Sequence, residues 1–272
     1  MNIHFTDESL CRDLCKASLV ISAIGSTLYE TADKFSDSDI IHIYAASNTE
    51  RNSALFSHHQ LQFKRNDVDY IFCSLHNFIR NALNGDSTVN FEVLNSTYLK
   101  DSSLEFLFDM RKKFYNYRVI RSYLGFAKRD LKHINEGKNE RDKNKKLFHV
   151  KRGLEFAKMI TADYLNKTDM FKEPFVTKEM VSIYENYKTF DFKERKAEID
   201  KLTVEVEFTR IYTNKLLETK TIPFYMTVDS QKELDQHLNN LLNSEFYSDI
   251  KLKDFDMSIF YTAEENGICY DK

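Results

Sequence analysis

Leu19-Val20-Ile21-Ser22-Ala23-Ile24-Gly25-Ser26 is the stretch on which the fold turns, an apolar, β-branched run that stops on Gly-Ser. So short a run, closed by a tight-turn signal, has the form of a buried strand. Ten residues later Ser36-Asp37-Ser38-Asp39 leads into a second run, residues 37–44, in which Ile41 and Ile43 alternate with Ile40, His42 and Tyr44. That alternation predicts a second strand. A third is expected over residues 68–72, entered through Asp67-Val68-Asp69. Upstream, Leu10, Leu14 and Ala17 recur at helical spacing behind Thr6, which predicts a capped helix over residues 7–17. Residues 45–65 are polar without a clean period and read as a loop or a weak hairpin.

Beyond Ser74 the helical period takes over. Leu75, Phe78, Ile79, Ala82 and Leu83 predict a helix that stops at Gly85. Val89, Phe91, Val93 and Leu94 mark a short apolar element with no clear type. Ile120, Tyr123, Leu124, Ala127, Leu131 and Ile134 predict a long amphipathic helix ending before Gly137. Leu147, Val150, Leu154, Ala157 and Thr161 predict its partner, with residues 138–146 as linker or exposed extension. Ile199, Leu202, Val206 and Leu216 suggest a further long helix, although Val204, Val206 and Phe208 also alternate as in a strand, and a last helix is expected near residues 232–242. The fold class that follows is α+β. A small mixed sheet in an N-terminal α/β unit, residues 1–95, precedes a mostly helical region, residues 96–272.

Alternate strand residues share a face, so Asp37 and Asp39 project together from one strand, and two carboxylates there can hold a hard cation. Asp69 on a neighbouring strand supplies a third, with Asp67 as a substitute. Gly25 allows a backbone to approach a phosphate, and Ser26 adds a hydroxyl donor at the start of a helical turn. Each feature alone is ordinary; the order strand, Gly-Ser, spacer, Asp-x-Asp, strand, Asp carries the inference.

These residues resemble the nucleotidyltransferases of the DNA polymerase beta superfamily, whose signature is Gly-Ser or Gly-Gly, a spacer of this length, then Asp-x-Asp. The closer resemblance is to a branch of predicted nucleotidyltransferases linked to RNA repair. Gly25-Ser26-Thr27-Leu28-Tyr29 and Ser36-Asp37-Ser38-Asp39 follow that version. It continues through Asp69 to Ile79, Val89 to Leu94, Leu124 to Lys128 and Lys146 to Arg152. Glu30 stands where the branch has glycine, and Ser87-Thr88 where it has Asn-Pro. The resemblance implies the polymerase-beta-type fold, two Mg²⁺ ions held by Asp37, Asp39 and Asp69, and transfer of a nucleoside monophosphate from an NTP to an acceptor hydroxyl. It favours an RNA end as acceptor. The alternative is a catalytically inactive module of the same fold, binding NTP, RNA or a protein partner, and Glu30 motivates it.

Lys145, His149, Arg152 and Phe156 fall on one helix face, so the first three are candidates for holding the triphosphate or an RNA backbone. From Lys128 to Arg152 ten basic residues stand against four acidic, the one local footprint for a polyanion in a chain of net charge −3. Glu92 is expected at a helix surface or in a salt bridge, with an approach to the site as the alternative, and His58-His59 lacks a third metal ligand. Cys11, Cys15, Cys73 and Cys269 lack zinc spacing and read as reduced thiols of a cytoplasmic chain, with Cys11 and Cys15 on one helix face. No run approaches the length of a spanning helix, and no basic leader precedes the first helix, so neither membrane insertion nor export is expected.

Overall fold

The computed structural model describes residues 2–4, 6–29, 31–32, 38–47, 60–85, 88–96, 104–166 and 178–251. Five strands, β1 (Asn2–His4), β2 (Ser18–Ile24), β3 (Ser38–Tyr44), β4 (Gln60–Arg65) and β5 (Val68–Ser74), form one mixed sheet in the order β1-β4-β5-β3-β2. The pairs β1/β4 and β3/β5 are parallel, and β4/β5 and β2/β3 antiparallel. Helix α1 (Glu8–Lys16) lies on one side of the sheet, where Leu10 and Leu14 pack with Tyr44, Leu61, Phe63 and Phe72. Its cap is Asp7, whose carboxylate accepts the Ser9 and Leu10 N–H groups, and not Thr6. Cys11 and Cys15 are half-buried against this second, smaller core.

The opposite face, carrying Ile41, Ile43 and Cys73, enters the main core with the helices. Both faces of β3 are therefore covered, which is why its apolar residues run together from Ile40 to Tyr44. The segment read as a loop or weak hairpin contains a full strand. Leu61 and Phe63 of β4 point inward while Gln60, Gln62 and Lys64 face outward, and β4 turns into β5 through Asn66 at φ 55°. A left-handed Asn is the usual solution for so tight a hairpin.

The one-turn helix α2 (Gly25–Leu28) follows β2 directly. Helix α3 (Leu75–Asn84) is capped by Ser74 and ends on a left-handed Gly85, as the sequence predicts. The apolar element left without a type is helix α4 (Thr88–Asn95). Two short helices, α5 (Glu105–Asp109) and α6 (Arg111–Phe114), lead to α7 (Tyr117–His133) and α8 (Glu140–Asn166). These two are the expected pair, packed so closely that a Cβ at Gly153 would lie 3.3 Å from the Tyr123 carbonyl. Helices α9 (Lys178–Lys188), α10 (Phe192–Glu218), α11 (Val228–Leu242) and α12 (Glu245–Ile250) complete the helical region. Buried Arg195 ties α10 to α8 through Glu140 at 2.6 Å and Asn144 at 3.0 Å. The architecture is α+β, a small mixed sheet followed by helices. Among the described residues no helix is long and apolar enough to cross a membrane.

Candidate active site

Strand register builds the site. Asp39 of β3 stands opposite Asp69 of β5 and, on its other side, opposite Ile24 of β2; Lys64 of β4 stands opposite Asp69. Paired positions project to the same face, so Asp39 and Asp69 are neighbours, and alternation places Asp39 on the face of Ile41 and Ile43, toward the helices. The chain then leaves the row at Gly25, which has φ +61° and comes so close to Asp39 that a Cβ there would sit 2.8 Å from the Asp39 Oδ2. Only glycine adopts that backbone and permits that approach without strain.

Asp69 keeps 37% of its side chain exposed and lies 3.4 Å from the Lys64 ammonium, itself 56% exposed. Such an exposed pair is weakly held. Asp67 does not share the strand face of Asp69: it sits exposed in the β4–β5 turn, where its carbonyl accepts the Ser38 N–H at 2.9 Å. Asp37, Glu30, Ser87 and His58-His59 lie outside the described residues. Among the described residues no three His, Cys, Asp or Glu side chains gather as a metal site. Asp39 and Asp69 nevertheless meet the donor chemistry that Mg²⁺ asks of a protein, one or two carboxylates with the rest supplied by water and phosphate.

A buried polar cluster adjoins the turn. Glu92 of α4, only 3% exposed, accepts the Gly25 N–H at 3.1 Å through Oε2. Its Oε1 is 3.8 Å from Arg152 of α8, and the Arg152 guanidinium stacks on the Tyr29 ring with 4.0 Å to the centroid. Glu92 is thus not on a helix surface; it is buried and paired with Arg152, as the salt-bridge alternative expects, at a distance too long for a hydrogen bond. Burial opposes the Arg152 charge, but Tyr29, Glu92 and Tyr123 around it outweigh that and hold its pKa above the ordinary value. Burial also pushes the Tyr29 and Tyr123 hydroxyls well above their usual range. His149 is held well below its usual pKa, first by desolvation and then by Arg152, Lys145 and Arg129, so it is neutral at physiological pH. Lys145, His149 and Arg152 therefore do gather, with Arg129 of α7 added.

The wider basic stretch divides. Lys143 is paired with Glu140, Lys151 with Glu155, and Lys146 donates to the His133 carbonyl. Lys128, Arg129, Lys132 and His133 line a groove of about 740 Å³ between α7 and α10, with Val206 and Glu207 on its far wall, and of these Arg129 is paired with Asp130 and His133 with Glu136.

No family model, no curated protein and no solved structure matches the chain.

Proposed function

We propose that this chain is a Mg²⁺-dependent nucleotidyltransferase of the polymerase beta type, moving a nucleoside monophosphate from an NTP to an acceptor hydroxyl, with an RNA end as acceptor. The single observation that supports it best is the placing of Asp39 beside Asp69 with the Gly25 backbone against the Asp39 carboxylate. Asp39 and Asp69, with Asp37 from the sequence pattern, would hold the metal. When bound, Mg²⁺ offsets triphosphate charge and lowers the pKa of the acceptor hydroxyl.

The chain's own groups do the rest. The Gly25 turn and the Ser26 hydroxyl bring the triphosphate up to the carboxylates. Arg152 and Lys145 balance its charge, and neutral His149 offers one N–H donor. The acceptor hydroxyl gives up its proton to solvent water as its oxygen bonds to the α-phosphorus, the bond from that phosphorus to the bridging oxygen breaks, and pyrophosphate leaves. The groove lined by Lys128, Arg129 and Lys132 suits the phosphates behind an RNA end.

The second reading is the inactive module of the same fold. It is favoured by two occupied positions: Glu92 already takes the Gly25 N–H, and Lys64 is paired with Asp69. One experiment separates the two. The purified chain is incubated with Mg²⁺, each of the four α-labelled NTPs and a mixed RNA pool, beside an Asp37→Ala/Asp39→Ala double variant. Label transfer lost in the variant supports the transferase. NTP or RNA binding without transfer supports the module, and the absence of transfer and of NTP binding under both Mg²⁺ and Mn²⁺ refutes the enzyme.

A further inference from the structure

We propose that Glu92 is the positioning residue of this site: its carboxylate, reaching in from the helical region, holds the Gly25 turn in the shape that seats Asp39. Only the catalytic consequence rests on the transferase reading; the hold on the turn is a separate claim with its own readout.

The Gly25 turn is short and conformationally unusual, with φ +61° at its first residue and Tyr29 N–H closing back on the Gly25 carbonyl at 3.2 Å. A glycine gives such a turn little preference of its own, because it enters left- and right-handed backbone with similar ease. Something else must select the observed conformer. Two contacts do so, one at each end. At the start, Glu92 Oε2 accepts the Gly25 N–H at 3.1 Å. At the finish, the Tyr29 ring lies under the Arg152 guanidinium.

The two clamping side chains, on α4 and α8, are paired with each other at 3.8 Å. That separation is too long for a hydrogen bond and leaves an electrostatic pair. A carboxylate as buried as Glu92 is tolerated only where charge and donors meet it, and Arg152 and the Gly25 N–H both do so here. Because the Gly25 backbone lies against the Asp39 carboxylate, any slack in the turn is passed to the metal-binding oxygens.

The competing account makes Glu92 a plug on the Gly25 N–H that an incoming phosphate must displace, and it predicts the opposite sign. The test compares Glu92→Ala and Glu92→Gln with the wild-type chain and with Asp39→Ala. It reads kcat and KM for label transfer under Mg²⁺, and amide hydrogen exchange at Gly25. Loss of positioning by a fraction of an ångström lowers kcat by about 100-fold, with KM within a few-fold. Glutamine keeps a carbonyl that accepts the same N–H, so Glu92→Gln restores kcat to within about 10-fold of wild type, and Gly25 exchange quickens in the alanine variant alone. If Glu92→Ala fails to fold, Glu92→Asp, too short to reach the N–H, carries the same expectation.

Unchanged kcat and unchanged Gly25 exchange in the alanine variant overturn the proposal, as does glutamine being as impaired as alanine. Higher turnover or lower KM in either variant also overturns it and identifies the plug. If the wild-type chain transfers no label, the transferase reading falls, and Gly25 exchange alone then decides whether Glu92 holds the turn.

Discussion

Replacing Gly25 by alanine is the sharpest perturbation of this site, because one added methyl group meets two separable obstacles. The first is backbone strain. At φ +61° an L-residue costs about 1–2 kcal/mol relative to right-handed backbone, and that cost falls on stability. The second is the Asp39 carboxylate, 2.8 Å from the new carbon where ordinary contact begins near 3.4 Å. The carboxylate is the far end of a side chain and gives way more cheaply than backbone would. On the transferase reading, that displacement misplaces an oxygen proposed to bind the metal and lowers transfer by about 10- to 100-fold. Gly85→Ala is the matched control. It has φ +65°, and its Cβ meets the backbone of Arg118 and Val119 at 3.0 Å, so it loses at least as much stability while leaving Asp39 alone. Urea unfolding followed by circular dichroism measures the first effect, and label transfer well below both unfolding midpoints measures the second. Equal transfer rates in the two variants, or activity that merely tracks the unfolding midpoint, would refute the argument.

Three further outcomes follow from groups around the sheet and the buried cluster. His42, buried in β3 with its Nδ1 2.9 Å from the Ser18 hydroxyl, has its pKa lowered by burial from 6.5 to about 4. The unfolded chain then binds the proton more readily, so this contribution is complete above pH 6.5 and falls by up to about 3 kcal/mol as pH drops to 4. His149 acts in the same direction, so the His42 share is read as the part of the pH dependence of urea midpoints that disappears in His42→Gln. Tyr123 buries a hydroxyl with no hydrogen-bond partner among the described residues; Tyr123→Phe removes that group and is expected to leave stability unchanged or raise it by up to about 1 kcal/mol in thermal unfolding. Lys64→Ala releases Asp69 from an exposed pair, so the unfolding midpoint moves by less than about 0.5 kcal/mol while Mn²⁺ binding, followed by paramagnetic relaxation, tightens.

What was legible in the chain was what local pattern controls. β2, β3 and β5 announce themselves by β-branched runs, α3 and α7 by helical spacing with glycine stops, and α8 by helical spacing alone. β4 was obscured because its outer face is glutamine and lysine, so a strand with one wet side looked like a polar loop. In α10, the apparent alternation of Val204, Val206 and Phe208 has a different origin. Val206 is buried, while Val204 and Phe208 face solvent on the far side of a helix, so the apolar residues there do not mark a single face.

The site divides along the same line. Asp39 and Asp69 could be anticipated as neighbours because each enters a strand of a small sheet, and register then aligned them. Glu92 could not be joined to Gly25 by any local period, since 67 residues separate them and only tertiary packing brings α4 onto the turn. Yet a signal was present. Glu92 stands between Phe91 and Val93, each 1% exposed, in a segment otherwise too apolar to face water. A carboxylate in such a run is a candidate for burial, although Asp109 stays exposed between buried Phe108 and Met110, and a buried carboxylate must find both a cation and a donor. Arg152, on the helix face already singled out for its charge, answers the first need, and the Gly25 N–H at the head of the signature turn answers the second.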